Sequence, residues 1–166
     1  MSQTKSSSCF IGKWSKLLLW CLTIGWMILI FGFSAQSGSE SSGISQKVSE
    51  WAVMLFTDTT FSELPINQQQ QIEFIIRKLA HFSEYAVLGI LFVSLVSVYQ
   101  KPKTWYGISA FAGLLYAATD EWHQSFTPNR APALKDVLID FSGVVTGILF
   151  VFVIQFLFAK FKKSSD

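Results

Sequence analysis

Two short stretches of the chain concentrate the side chains that could do chemistry. The first holds Arg77, Lys78, His81 and Glu84. The second runs from Thr119 to Asp140 and holds Asp120, Glu121, His123, Arg130, Lys135, Asp136 and Asp140. Histidine beside a carboxylate is the usual apparatus of proton transfer, so His81 and His123 are candidates to move a proton, with Glu84 and Asp120 as orienting groups or bases. Lys78 and Arg130 could hold an anionic group, Arg130 through a bidentate contact. Arg77, Glu121, Asp136 and Asp140 would support them. A metal held by the two histidines and a carboxylate is a second reading. No spacing of a strong metal motif such as HExxH occurs, and no metal or cofactor is assigned. Binding of an anionic head group without chemistry is a third, and the residues do not choose between it and acid–base catalysis.

Spacing organises these groups if the segments are helical. Lys78, His81 and Glu84 stand three apart, as do Asp120 and His123, while Asp136 and Asp140 stand four apart. Each set then shares one helix face. Glu84, His81 and Asp140 lie about a turn inside apolar stretches, where an unpaired charge is costly and functional roles concentrate. The plainer reading is a structural ion-pair network that fixes helix packing, and Glu121 and Lys135 could be solvated span-end anchors.

The surrounding chain is that of a membrane protein. Of 166 residues, 51% are hydrophobic, 16% aromatic and only 14% charged, against roughly 25% charged in soluble domains. A net charge of +2 with no basic stripe gives nucleic acid no footprint. Four apolar runs stand out, at about 17–33, 79–99, 105–119 and 137–159. The expectation is an all-α, multi-pass protein of four transmembrane helices, with the first run retained as a span rather than cleaved as a signal peptide. Residues 1–16 and 160–166 would be basic cytoplasmic tails around one membrane domain, 17–159. This topology puts eight of the thirteen lysines and arginines on short inner segments, in line with the positive-inside rule. Both polar clusters then fall on the outer face.

Three further features bear on packing. Ile44, Val48, Trp51 and Leu55 recur at helical spacing, fitting either a helix lying on the membrane surface or one packed on neighbouring spans. Pro65 breaks the chain, and Ile66–Lys78 can start a new helix. Gly143 and Gly147 form a GxxxG that permits close helix contact. Cys9 and Cys21 are placed too differently to pair, one in a polar tail and one in the first apolar run.

The two clusters also carry a resemblance. Arg77-Lys78-x-x-His81-Phe82-x-Glu84-Tyr85-x-x-Leu88-Gly89 resembles the first signature of the VanZ-like family. Asp120-Glu121-x-His123-Gln124-x-Phe126-x-Pro128-x-Arg130, with Asp136-Val137-x-x-Asp140-x-x-Gly143, resembles the second. Phe33-Ser34-Ala35-Gln36-Ser37-Gly38 is similar to the segment after the family's first span. The match covers roughly residues 17 to 158 and adds Tyr85 and Gln124 to the supporting set. It implies a small bacterial cell-membrane protein acting at the envelope. The family's namesake is linked to resistance to the glycopeptide teicoplanin, a phenotype that supplies no mechanism. The expected partners are the bilayer and a lipid-linked cell-wall precursor or anionic lipid, bound or chemically modified.

Overall fold

A computed structural model describes residues 4–35, 38–99, 104–126 and 133–165, with side chains for 13–35, 43, 45–99, 104–126 and 133–162. The described chain is helical throughout apart from turns. The helices are α1 (Thr4–Ser34), α2 (Gly38–Phe56), α3 (Ile66–Ser97), α4 (Trp105–Gln124) and α5 (Leu134–Ser165), with a 3-10 turn at Phe61–Glu63 before α3. Pro65 sits at the N-cap of α3, where its fixed φ and missing N–H suit a helix start. The helix then continues unbroken through the charged cluster and the apolar run. The polar segment 66–78 and the expected span 79–99 are therefore one rod.

Among the described residues three helices, not the expected four, are long and apolar enough to cross a membrane: Lys13–Ser34, Ile66–Ser97 and Leu134–Lys162. α4 falls short because its 20 residues include Asp120 and Glu121 and several polar or small side chains. The apolar surface points outward. Leu17, Leu18 and Ile28 of α1 and Phe150, Phe156, Phe158 and Phe161 of α5 are all exposed. Exposure on that scale is what a lipid solvent permits and water does not.

Without a hydrophobic drive between helices in lipid, close packing must hold the bundle together. α3 and α5 achieve it with glycine. A Cβ on Gly143 would strike the carbonyl oxygen of Phe82, and one on Gly147 that of Ala86. Gly89 of α3 faces the Val144 carbonyl in the same way. The GxxxG of α5 thus lets two backbones touch, as its spacing suggests. α4 completes the core, laying Gly113 against the Val144 side chain. It runs antiparallel to α5: the Tyr106 hydroxyl donates to Gln155 Oε1 at 2.9 Å, and the Ala133 N–H donates to Glu121 Oε1 at 2.6 Å.

α2 packs on α3, but not by the expected stripe. It buries Ser45, Ser49 and Val53, while Val48, Trp51 and Leu55 are exposed. Small hydroxyl side chains allow the closer approach, and Ser49 satisfies its own hydroxyl by donating to the Ser45 carbonyl at 2.7 Å. The side chain of Ile44 lies outside the described residues, as does that of Cys9, while Cys21 is free and exposed.

The glycine contacts give a first prediction. Gly147→Val or Gly143→Val should destabilise the detergent-solubilised protein by about 1–3 kcal/mol through overpacking against backbone. Gly25→Ala, where nothing lies within 4 Å, should leave the melting temperature unchanged. Thermal unfolding followed by circular dichroism reads both.

Candidate functional site

The most buried charged group is Asp120, 1% exposed. Its Oδ2 collects donors from three helices. Ser34 Oγ of α1 donates at 2.8 Å, the Tyr85 hydroxyl of α3 at 3.0 Å, and Gln124 Nε2 of α4 at 3.1 Å. Gln124 also donates to the Ser34 hydroxyl. Gln124 stands one turn beyond Asp120 on α4, so helix geometry alone brings that pair together. Ser34 and Tyr85 arrive only through packing. The other oxygen, Oδ1, is buried and has no hydrogen-bond partner among the described residues.

A cleft opens beside this knot. Lys78 and His81 of α3, Glu121 and Gln124 of α4, and Asp136, Ile139 and Asp140 of α5 line it. Its volume of about 10 Å³ has room for about one water. Lys78 Nζ meets Asp136 Oδ1 at 2.6 Å, both groups being partly exposed. His81 Nδ1 lies 3.9 Å from Asp140 Oδ1, an ion pair when the ring is protonated. The Glu121 Oε1 that accepts from the Ala133 N–H also closes the connection from α4 to α5. Glu121 Oε2 is buried without a hydrogen-bond partner among the described residues. Glu121, which could have been a solvated anchor, is 5% exposed and a wall of the site.

The structure does not unite all the expected residues. His81, Glu121, Asp136, Asp140 and Lys78 converge on the cleft, and Asp120, Tyr85 and Gln124 adjoin it. His123 is absent from its walls. It stacks on Phe31 of α1 with ring centroids 3.9 Å apart, and its Nδ1 is buried without a hydrogen-bond partner among the described residues. The two imidazoles thus have different neighbours, and no group of three or more potential metal ligands is found among the described residues. Glu84 is half-buried, and its backbone carbonyl accepts the Trp26 indole N–H at 2.9 Å. Arg77 is half-buried. Arg130 lies outside the described residues, as do Pro128 and Pro132. Lys135 is exposed. Ser34 was not among the expected site residues. Its signals in the sequence are its place in the polar segment that ends the first span and the resemblance of that segment to the one that follows the family's first span.

As a class, the chain is a helical membrane protein with a buried carboxylate knot and an adjoining polar cleft. Its sequence from residue 19 to 155 matches the profile of the VanZ/LLP1 family, and the chain belongs to that family. Comparison with curated proteins and with solved structures finds no match.

The carboxylate knot gives a second prediction. Tyr85→Phe should cost about 1.5–3 kcal/mol, the usual worth of a hydrogen bond to a charged group. Asp120→Ala should cost more, because it strands the Tyr85, Ser34 and Gln124 donors together. In a Tyr85→Phe, Ser34→Ala double-mutant cycle, thermal unfolding should show non-additive losses.

Proposed function

We propose that this VanZ/LLP1-family protein works at the bacterial cell envelope, on a polar group carried by a membrane lipid or wall precursor, and that the cleft between α3, α4 and α5 is where it acts. The observation that carries this reading is the convergence of Lys78, His81, Glu121, Asp136 and Asp140, from three helices, on one cleft. His81 is the proton-transfer group, with Asp140 beside it. Glu121 offers a buried carboxylate oxygen, Oε2, with no hydrogen-bond partner among the described residues. Carboxylates outnumber the described cations around the cleft. An anionic substrate would therefore rely on Lys78 exchanging Asp136 for the incoming group. His81→Ala and Glu121→Gln are expected to abolish the wild-type change in envelope lipids or wall precursors, read by mass spectrometry at matched membrane levels. Unchanged profiles in both variants would remove the cleft from the reaction.

A second reading has its own support. The cleft admits about one water and Lys78 is already paired, which suits a protein that binds or masks an envelope component without altering it. Either activity could underlie glycopeptide resistance. A masking protein would act in proportion to its copy number, and an enzyme at far lower copy number.

In this reading four helices cross the membrane, the termini are cytoplasmic and the cleft faces outward. Supporting the crossing of α4 is its antiparallel pairing with α5 over nearly its whole length, from Tyr106 opposite Gln155 to Glu121 opposite Ala133. A partner that spans the same depth compensates for modest hydropathy. In a cysteine-free background, Phe126→Cys should react with an impermeant thiol reagent on intact cells, and Lys160→Cys only after permeabilisation. The opposite pattern would overturn the outward placement.

A further inference from the structure

α1 and α4 meet where the Tyr116 hydroxyl donates to the Met27 carbonyl at 2.6 Å, where Phe31 stacks on His123, and where Ser34 reaches Asp120. Between them, over the face of α3, lies a groove of about 480 Å³. Trp20 and Ile24 form one wall, Ala112 and Leu115 the other, and Phe92 and Leu95 the floor. That volume is within the roughly 300–1,000 Å³ of small-molecule sites. It is far larger than the polar cleft and shares none of its lining residues.

The chemistry of the groove selects its occupant. Three hydroxyls line it, and each already donates to a backbone carbonyl. Thr23 donates to Leu19 at 2.7 Å, Tyr116 to Met27 at 2.6 Å, and Thr119 to Tyr116 at 2.8 Å. What remains is hydrocarbon surface. The helices that line the groove also expose apolar side chains, among them Leu22 and Ile28 of α1 and Phe111 and Leu114 of α4. Its α1 and α3 walls belong to helices able to span a bilayer, so the occupant comes from the membrane. Along α4, Ala112, Tyr116, Thr119 and His123 succeed one another at spacings of four, three and four, which puts them on one helix face. His123 therefore stands one turn beyond the end of the groove.

We infer that the groove between α1, α3 and α4 is a binding slot for a hydrocarbon chain of a membrane lipid, with the polar end of that lipid at Thr119 and His123. The slot accounts for a histidine that stands apart from the polar cleft. It holds whether or not the cleft catalyses a reaction. The occupant is an acyl chain of a diacyl phospholipid: at about 480 Å³ the groove has the volume of a small-molecule site and not that of the much longer chain of a polyprenyl phosphate.

The test uses the full-length protein in liposomes containing phosphatidylglycerol with a photoreactive diazirine on its acyl chain. Cross-links mapped by mass spectrometry are expected at Ile24, Ala112 and Leu115, roughly tenfold above Phe150 and Phe156 of the α5 belt, a ratio worth about 1.4 kcal/mol. Ala112→Trp and, separately, Leu115→Trp should reduce that labelling to the α5 level without lowering the melting temperature. His123→Ala should weaken it several-fold while leaving α5 labelling unchanged. Competition by unlabelled phosphatidylglycerol at lower concentration than unlabelled polyprenyl phosphate supports the diacyl occupant, and the reverse order would overturn it. Equal labelling of groove and belt would overturn it. So would labelling that survives both tryptophans, or a Leu115→Cys variant that cross-links to its own copy and thereby shows a protein surface in the groove.

Discussion

A carboxylate held away from water in an apolar bundle must be supplied with donors, and Asp120 sets that requirement for this structure. Its Oδ2 is met by hydroxyls from α1 and α3 and an amide from its own helix. An unpaired charge at that position would cost several kcal/mol. The three helices are therefore tied at one level. Ser34 and Tyr85 fix how far α1 and α3 slide along α4. Tyr116 and Trp26, which donate to the Met27 and Glu84 carbonyls, hold the same register from neighbouring turns.

The glycine seam between α3 and α5 is the second constraint, and the polar cleft is its consequence. With Gly143 and Gly147 against the carbonyls of Phe82 and Ala86, the two backbones lie as close as helices can. Side chains one turn away at the same end are brought into contact, so Lys78 reaches Asp136 and His81 stands beside Asp140. α4 then presents two chemically different faces. One turns Glu121 and Gln124 toward the acidic cleft, and the other carries Ala112, Tyr116 and Thr119 along an apolar groove, with His123 one turn beyond its end. Division of labour between faces of one helix explains why residues so close in sequence end in different surroundings.

Much of the architecture was legible from the chain. Long apolar runs around 17–33 and 137–159 have few alternatives to spanning helices, and α1 and α5 contain them. Gly143 and Gly147 announced a backbone contact, though not its partner. The third run was harder to read. Its 15 or so apolar residues are followed at once by two acids, so hydropathy alone does not qualify α4 as a span. The stripe of α2 left two readings open, because apolar periodicity marks a face that leaves water and does not say whether neighbouring helices or lipid receive it. In α2 the packed face is the serine face.

The sequence by itself determined the class of protein, the family and the membership of the polar clusters, because these depend on composition, run length and spacing within single helices. It also placed Lys78 with His81, since residues three or four apart on a helix share a face. Only the tertiary structure decided which groups meet across helices. Ser34 joining Asp120, Lys78 pairing with Asp136, and His81 parting from His123 all depend on helix register and rotation. Those are set by glycine contacts and buried hydrogen bonds between residues as many as 90 positions apart, a scale on which local spacing carries no information.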